Sequence, residues 1–217
     1  MHAFRDIETA AYCPRKLYYR RRDPEETDPP VVVDERRELA FEYDALLDGK
    51  DLTTAPIEVT PTQFRSQLGC ARAQLNRWEE IVSPPERDVF LSGRECRGIA
   101  HKRLTDPPSL SIVFGGKPPD NGIWRPQSAR LVAAAKALSW EEETRIETVY
   151  AEYPAYGVVR QVDVGPRRTA AYREAVRIAD SIEGPPARLD NDSKCEPCEY
   201  RGECGVRTRS LLSRLRG

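Results

Sequence analysis

The apolar positions fall into two regimes that meet at Pro84-Pro85. Before that point they recur at helical spacing, and after it they alternate or gather in short runs. Residues 4–22 read as helix with Phe4, Ile7, Tyr12 and Leu17 inward, and Pro14 forces a fresh helix start at Cys13. A polar, proline-bearing loop follows at 23–30. Residues 33–47 return to helix with Leu39, Phe41, Leu46 and Leu47 apolar, and Ile57–Val59 reads as a short extended piece. Thr60-Pro61 opens a helix predicted to reach about Val82, with Phe64, Leu68, Leu75 and Trp78 on its inner face.

The second regime predicts three short strands at Val89–Ser92, Cys96–Leu104 and Leu110–Phe114. The loop KPPDNGIWRP leads into a helix over Gln127–Ser139. Thr148–Tyr153 and Val158–Val164 then alternate as a hairpin, and a last helix runs from Arg167 to Ile182. This order predicts an α/β fold with a mixed central sheet flanked by helices. The 217 residues suit one domain, with a helical part at 1–85, a sheet core at 86–183 and a tail at 184–217. A chain of that length buries a core without disulfide staples.

Mean hydropathy is −0.64, and no apolar run approaches the roughly 18 residues of a membrane span. The opening MHAFRDIETAAYCPRK carries charges where a signal peptide needs an apolar stretch, so the cytoplasm is the expected location. There, six cysteines read as metal ligands before disulfides.

The net charge of −1 is unevenly spread. Residues 1–22 carry Arg5, Arg15, Lys16, Arg20, Arg21 and Arg22 against Asp6 and Glu8. Residues 201–217 carry Arg201, Arg207, Arg209, Arg214 and Arg216 against Glu203. Each end is thus +4, and the chain between sums to −9. Basic ends that meet in space would attract phosphate; otherwise they are two solvated, arginine-rich termini. Tyr12, Tyr18, Tyr19 and Trp124 lie among arginines, as bases stacking on aromatic rings would require, but one packed and one exposed tyrosine on a helix is the favoured reading of Tyr18 and Tyr19.

Cys195, Cys198 and Cys204 form C-x2-C-x5-C, with Pro197 and Gly202 suited to a tight ligand loop. No His or Cys follows Cys204, so a fourth ligand must come from afar, and Cys13 is the best placed by type. Four thiolates close a zinc site or hold an iron–sulfur cluster, and the spacing accepts either. Cys70 and Cys96, among apolar neighbours, read as buried small hydrophobes.

A distal Cys13 in the context CPRKLYY, with three clustered cysteines near the end, resembles the small RecB-like nucleases of CRISPR systems, the Cas-four exonucleases. The resemblance implies a restriction-endonuclease-like PD-(D/E)XK core and a [4Fe–4S] cluster held by Cys13, Cys195, Cys198 and Cys204. It covers Ala11–Arg20, residues 96–138, the hairpin and the tail, and the cysteine pattern is its specific part.

Phosphodiester cleavage in such a core requires carboxylates that hold Mg²⁺ or Mn²⁺. The family pattern is G-x-x-D on one strand, E-x-K on the next, a G-K-P turn, and a Gln that opens the following helix. Here His101 stands in the place of the Asp, and Ile112 and Phe114 in those of Glu and Lys. Gly116-Lys117-Pro118 and Gln127 match. The family's upstream helical His is missing from ELAFEYDALL at 38–47. Residues 94–136 hold only Glu95, Asp106 and Asp120 as acids against eight Arg and Lys.

The expectation is an iron–sulfur protein of this family that binds DNA ends or single strands through Arg15, Lys16, Arg20, Lys117 and Arg201, with nuclease activity lost. DNA and a CRISPR adaptation protein are the expected partners. Two alternatives stand beside it: an active exonuclease with Mg²⁺ or Mn²⁺ on relocated Asp106 or Asp120, and a zinc-stapled protein-interaction module.

Overall fold

Pro14 sets the shape of the amino-terminal region. In the computed structural model, which describes residues 1–23 and 31–204, a short strand β1 (His2–Ala3) leads into α1 (Phe4–Tyr12), and α2 (Pro14–Arg22) starts at the proline. Cys13 between them is extended (φ −159°, ψ 111°) and donates its N–H to the Thr9 carbonyl. Proline at the first helical position sacrifices no hydrogen bond, so the restart is cheap. Most of the loop expected at 23–30, and the arginines of 205–217, lie outside the described residues.

The helix expected over 33–47 is interrupted. It consists of α3 (Val31–Glu38), a 3-10 turn at Leu39–Phe41 and α4 (Tyr43–Leu47). The interruption frees the Ala40 carbonyl, which accepts a hydrogen bond from the buried Lys102 ammonium at 2.6 Å. Ile57–Val59 forms no strand; the Glu58 N–H donates to the Ala155 carbonyl at 2.8 Å. Thr60 caps the next helix as its position demands, Oγ accepting from the Gln63 N–H at 3.3 Å. That helix is α5 (Pro61–Gln74), and Leu75 is extended before α6 (Trp78–Val82). The break lets Leu75 and Trp78 both enter one apolar cluster. Cys70 is exposed rather than buried, because Phe64, Leu68 and Ala71 define the inner face of α5 and position 70 falls off it.

Strands β2 (Glu86–Ser92), β3 (Cys96–Leu104) and β4 (Ser109–Val113) form the expected antiparallel meander. Helix α7 (Arg125–Glu141) then crosses to β5 (Thr148–Tyr153), which pairs parallel with β4. Strand β6 (Val158–Asp163) returns antiparallel and α8 (Pro166–Asp180) follows. β1 pairs parallel with β3 at His2 and Cys96. The order is β1-β3-β4-β5-β6 with β2 also on β3, so the sheet is mixed.

Two apolar clusters cover the two faces of this sheet. One joins Phe4, Ile7, Ile112, Phe114, Val149 and Tyr172 with the Ala-rich α7. The other joins Tyr43, Leu46, Phe64, Trp78, Val113 and Tyr150. β4 lies between them and is buried along its whole length, the condition that favours a short uninterrupted strand. At the β5–β6 turn, Gly157 has φ +65°, and a Cβ there would stand 2.7 Å from the Phe64 carbonyl oxygen. The position therefore requires glycine on two independent grounds. The described part of the tail carries two short helical turns, α9 (Asp192–Cys195) and α10 (Arg201–Cys204).

Candidate metal centre

Cys13 sits at the α1–α2 break, Cys195 closes α9 and Cys204 closes α10, with Cys198 in the turn between. Asn191 starts α9, its side-chain oxygen accepting from the Lys194 N–H at 3.1 Å. Such a cap suits a single helical turn that presents Cys195 at its end. These four cysteines line one cavity together with Tyr12, Tyr19, Leu189 and Tyr200. Arg15, Lys16, Arg188, Lys194 and Arg201 complete its walls. All four are free thiols of intermediate exposure. Burial raises the Tyr12 phenol above its ordinary value, and the Cys198, Cys13 and Cys195 thiols add to that rise. Cys96, by contrast, lies in the core, where burial pushes its thiol up to about 11.

Direct contacts tie the two ends of the described chain around this cavity. Lys194 Nζ donates to the Tyr12 carbonyl at 3.1 Å and lies 4.7 Å from the centre of the Tyr12 ring. Arg15 donates to the Pro186 carbonyl at 3.0 Å. The Tyr19 hydroxyl donates to the Glu203 carbonyl at 3.3 Å, and the Tyr19 and Tyr200 rings stack with centroids 5.7 Å apart. Lys16 pairs with Glu199 at 3.2 Å. Tyr19 is thus the packed member of the tyrosine pair and Tyr18 the more open one. Arg20 turns elsewhere, donating to Thr9 Oγ at 2.9 Å and facing Asp6 at 3.6 Å.

The donor set fits a four-thiolate centre. The cations of the walls would offset the negative charge that thiolate ligation accumulates. Among the described residues, no group of three or more His, Cys, Asp or Glu is placed to hold a metal ion.

The nuclease positions form a different environment. Ile112 and Phe114 are buried in the core. Gln127 is also buried, its Oε1 accepting from the Tyr153 hydroxyl at 2.5 Å. Lys117 is exposed in the loop after β4, where its carbonyl accepts from Trp124 Nε1 at 2.9 Å. His101 Nδ1 accepts the Val113 N–H at 3.0 Å, which leaves the ring proton on Nε2. Burial, then the charges of Arg130, Arg37, Lys102 and Arg5, push the imidazole down to about 3. A neutral imidazole amid cations, with Ile112 and Phe114 in place of anionic ligands, offers a hard divalent ion little.

A carboxylate and a lysine do meet in the sheet, at positions the sequence reading passed over. Lys102 Nζ donates to Glu152 Oε2 at 2.7 Å, to the Ala40 carbonyl at 2.6 Å and to the Ile81 carbonyl at 2.7 Å. Ser111 Oγ donates to Glu152 Oε1 at 2.5 Å. Both charged side chains are 0% exposed. Burial pulls the Lys102 ammonium below its ordinary pKa, and Glu152 opposes that shift. With all three donors used and no path to solvent, the pair fastens the helical layer to the sheet. The signal was present in β3, where Cys96, Ala100, Lys102 and Leu104 are buried at every second position or its multiple.

No helix of the described residues is long and apolar enough to cross a membrane. In comparisons with known proteins, no protein-family model matches the chain and no curated protein matches it.

Proposed function

We propose that this chain is an iron–sulfur protein of the RecB-like, CRISPR-associated exonuclease type, one that holds DNA ends or single strands without cutting them. The observation that carries this reading is the convergence of Cys13, Cys195, Cys198 and Cys204 on one cavity. In this reading the four thiolates hold a [4Fe–4S] cluster, which supplies iron–thiolate bonds that lock α2 to the tail. A lone tetrahedral zinc is the alternative occupant of the same four thiolates. Arg15, Lys16 and Arg201 then face DNA phosphates from the cavity rim, and Lys117 meets the strand from its separate loop. Lys16, paired with Glu199, and Arg20, engaged by Asp6 and Thr9, contribute less than the others.

Loss of cleavage is supported by the cationic surroundings of His101 and the apolar burial of Ile112 and Phe114. The alternative with relocated carboxylates asks Asp106 or Asp120 to come beside His101, and both stand in loops outside β3, which carries it. They lie in the turns at opposite ends of β4, a five-residue strand on the order of 13 Å between its first and last residues.

Anaerobic purification followed by iron, sulfide and zinc analysis tests the proposal. A brown protein with about four irons and four sulfides per chain is the expected result. Stoichiometric zinc without iron would overturn it in favour of the interaction module. Incubation with Mn²⁺ and single-stranded DNA is expected to leave the DNA intact. Degradation abolished by Asp106→Ala or Asp120→Ala would instead establish the relocated site.

A further inference from the structure

Two hollows lie along the carboxyl-terminal half of α7, on residues none of which lines the cysteine cavity. One, of about 290 Å³, is lined by Arg94, Glu95, Trp140 and Tyr172 among others. The other, of about 300 Å³, is lined by Arg145 and Arg173. Lys136 and Ser139 line both, so the two hollows adjoin there and form one groove beside α7 and α8.

The chain is shaped to bring these groups together. Lys136 and Trp140 stand one helical turn apart on α7 and therefore share a face. A Cβ at Gly93 would stand 2.6 Å from the Ala137 Cα, so glycine lets the β2–β3 turn press directly on α7 and sets Arg94 beside that face. The acids at this turn are engaged. Glu95 accepts from the Tyr172 hydroxyl at 2.9 Å, and Glu141 from the Ser92 N–H at 2.7 Å. Ser139 Oγ donates to the Thr144 carbonyl at 2.5 Å and holds the loop that carries Arg145.

The cations, by contrast, are open. Arg94, Lys136 and Arg173 are exposed, and among the described residues no carboxylate pairs with any of the three. Trp140 is the second, independent sign. It is 60% exposed, whereas Trp78 is 4% exposed in the core and the Trp124 indole N–H is held by the Lys117 carbonyl at 2.9 Å. An indole face left open beside unpaired cations has the two parts that a flexible nucleic-acid strand engages: a flat surface on which a base stacks whatever its identity, and positive charge along the backbone. A small anion would use the cations and leave the ring idle.

We infer that the groove along the carboxyl-terminal half of α7 binds single-stranded DNA, with a base stacked on Trp140 and the flanking phosphates on Arg94, Lys136 and Arg173. This deepens the proposed DNA-binding function and rests on it. The test is a titration of labelled oligothymidine with the full chain over a salt series, followed by anisotropy and by tryptophan emission. Trp140→Ala is expected to weaken binding about tenfold, to remove most of the quenching that a stacked base produces, and to leave the salt dependence unchanged. Trp140→Phe keeps a ring and restores most of the affinity. Lys136→Gln/Arg173→Gln is expected to flatten the slope of log affinity against log salt by about 1.4, two phosphate contacts' worth. Undiminished affinity in Trp140→Ala, or an unchanged slope in the Gln variant, overturns the groove and leaves the DNA reading standing. Equal losses in Trp140→Ala and Trp140→Phe count against stacking and overturn it too. A wild-type protein that fails to bind the oligonucleotide at low salt overturns the DNA reading itself.

Discussion

A lysine at an inward strand position must find acceptors or give up its charge. Lys102 finds three, and Glu152 in turn depends on it. Lys102→Met would strand a buried carboxylate and is expected to cost about 3–5 kcal/mol in urea unfolding. Lys102→Met/Glu152→Leu should recover most of that loss, since replacing both charges removes the penalty. His101 makes a pH-dependent prediction. Its folded pKa, about 3, lies below the ordinary 6.5, so the unfolded chain binds the extra proton first as pH falls. Its contribution is complete above pH 6.5 and drains away between pH 6.5 and 3, each unit being worth about 1.4 kcal/mol. Urea midpoints at pH 7 and pH 4.5 should therefore converge in His101→Gln relative to wild type. The four cysteines stand out in the sequence by type and spacing, and the structure places them along one cavity. The Lys102–Glu152 pair does not stand out, because its members lie 50 positions apart and only the sheet register joins them.

At the scale of elements, the hydrophobic period found the helices and the meander but missed their interruptions. Leu75 and Trp78 keep helical spacing through a break, since both sides of the break feed the same cluster. The 3-10 turn at Leu39–Phe41 likewise preserves the inward positions Leu39 and Ala40 while freeing one carbonyl for Lys102. β1 spans two residues, and α9 and α10 four each, all too short to show a period. Gly157→Ala is expected to lose more than about 1 kcal/mol, because the substitution meets positive φ and the Phe64 carbonyl together. A lowered Tm with unchanged metal content would locate the damage at the β5–β6 turn rather than at the cysteines.

Over the whole molecule, a mixed sheet flanked by helices followed from element order, whereas the described tail is held against the amino-terminal helices by Lys194, Arg15 and Tyr19, which the element order did not single out. If the cluster is the fastening, stripping iron from the protein should speed amide exchange in α2 and in 192–204 while the central strands stay protected. Equal protection before and after would show that Lys194, Arg15 and Tyr19 hold the tail unaided. The placement of α1 against both α7 and α8 has a consequence for biogenesis. A nascent chain emerging at 5–20 residues per second keeps this first helix waiting on the order of 10–30 s before its partners leave the ribosome. Its apolar face is chaperone-accessible throughout that interval, and in the proposed reading a centre on both Cys13 and Cys204 can close only after residue 204 has been made.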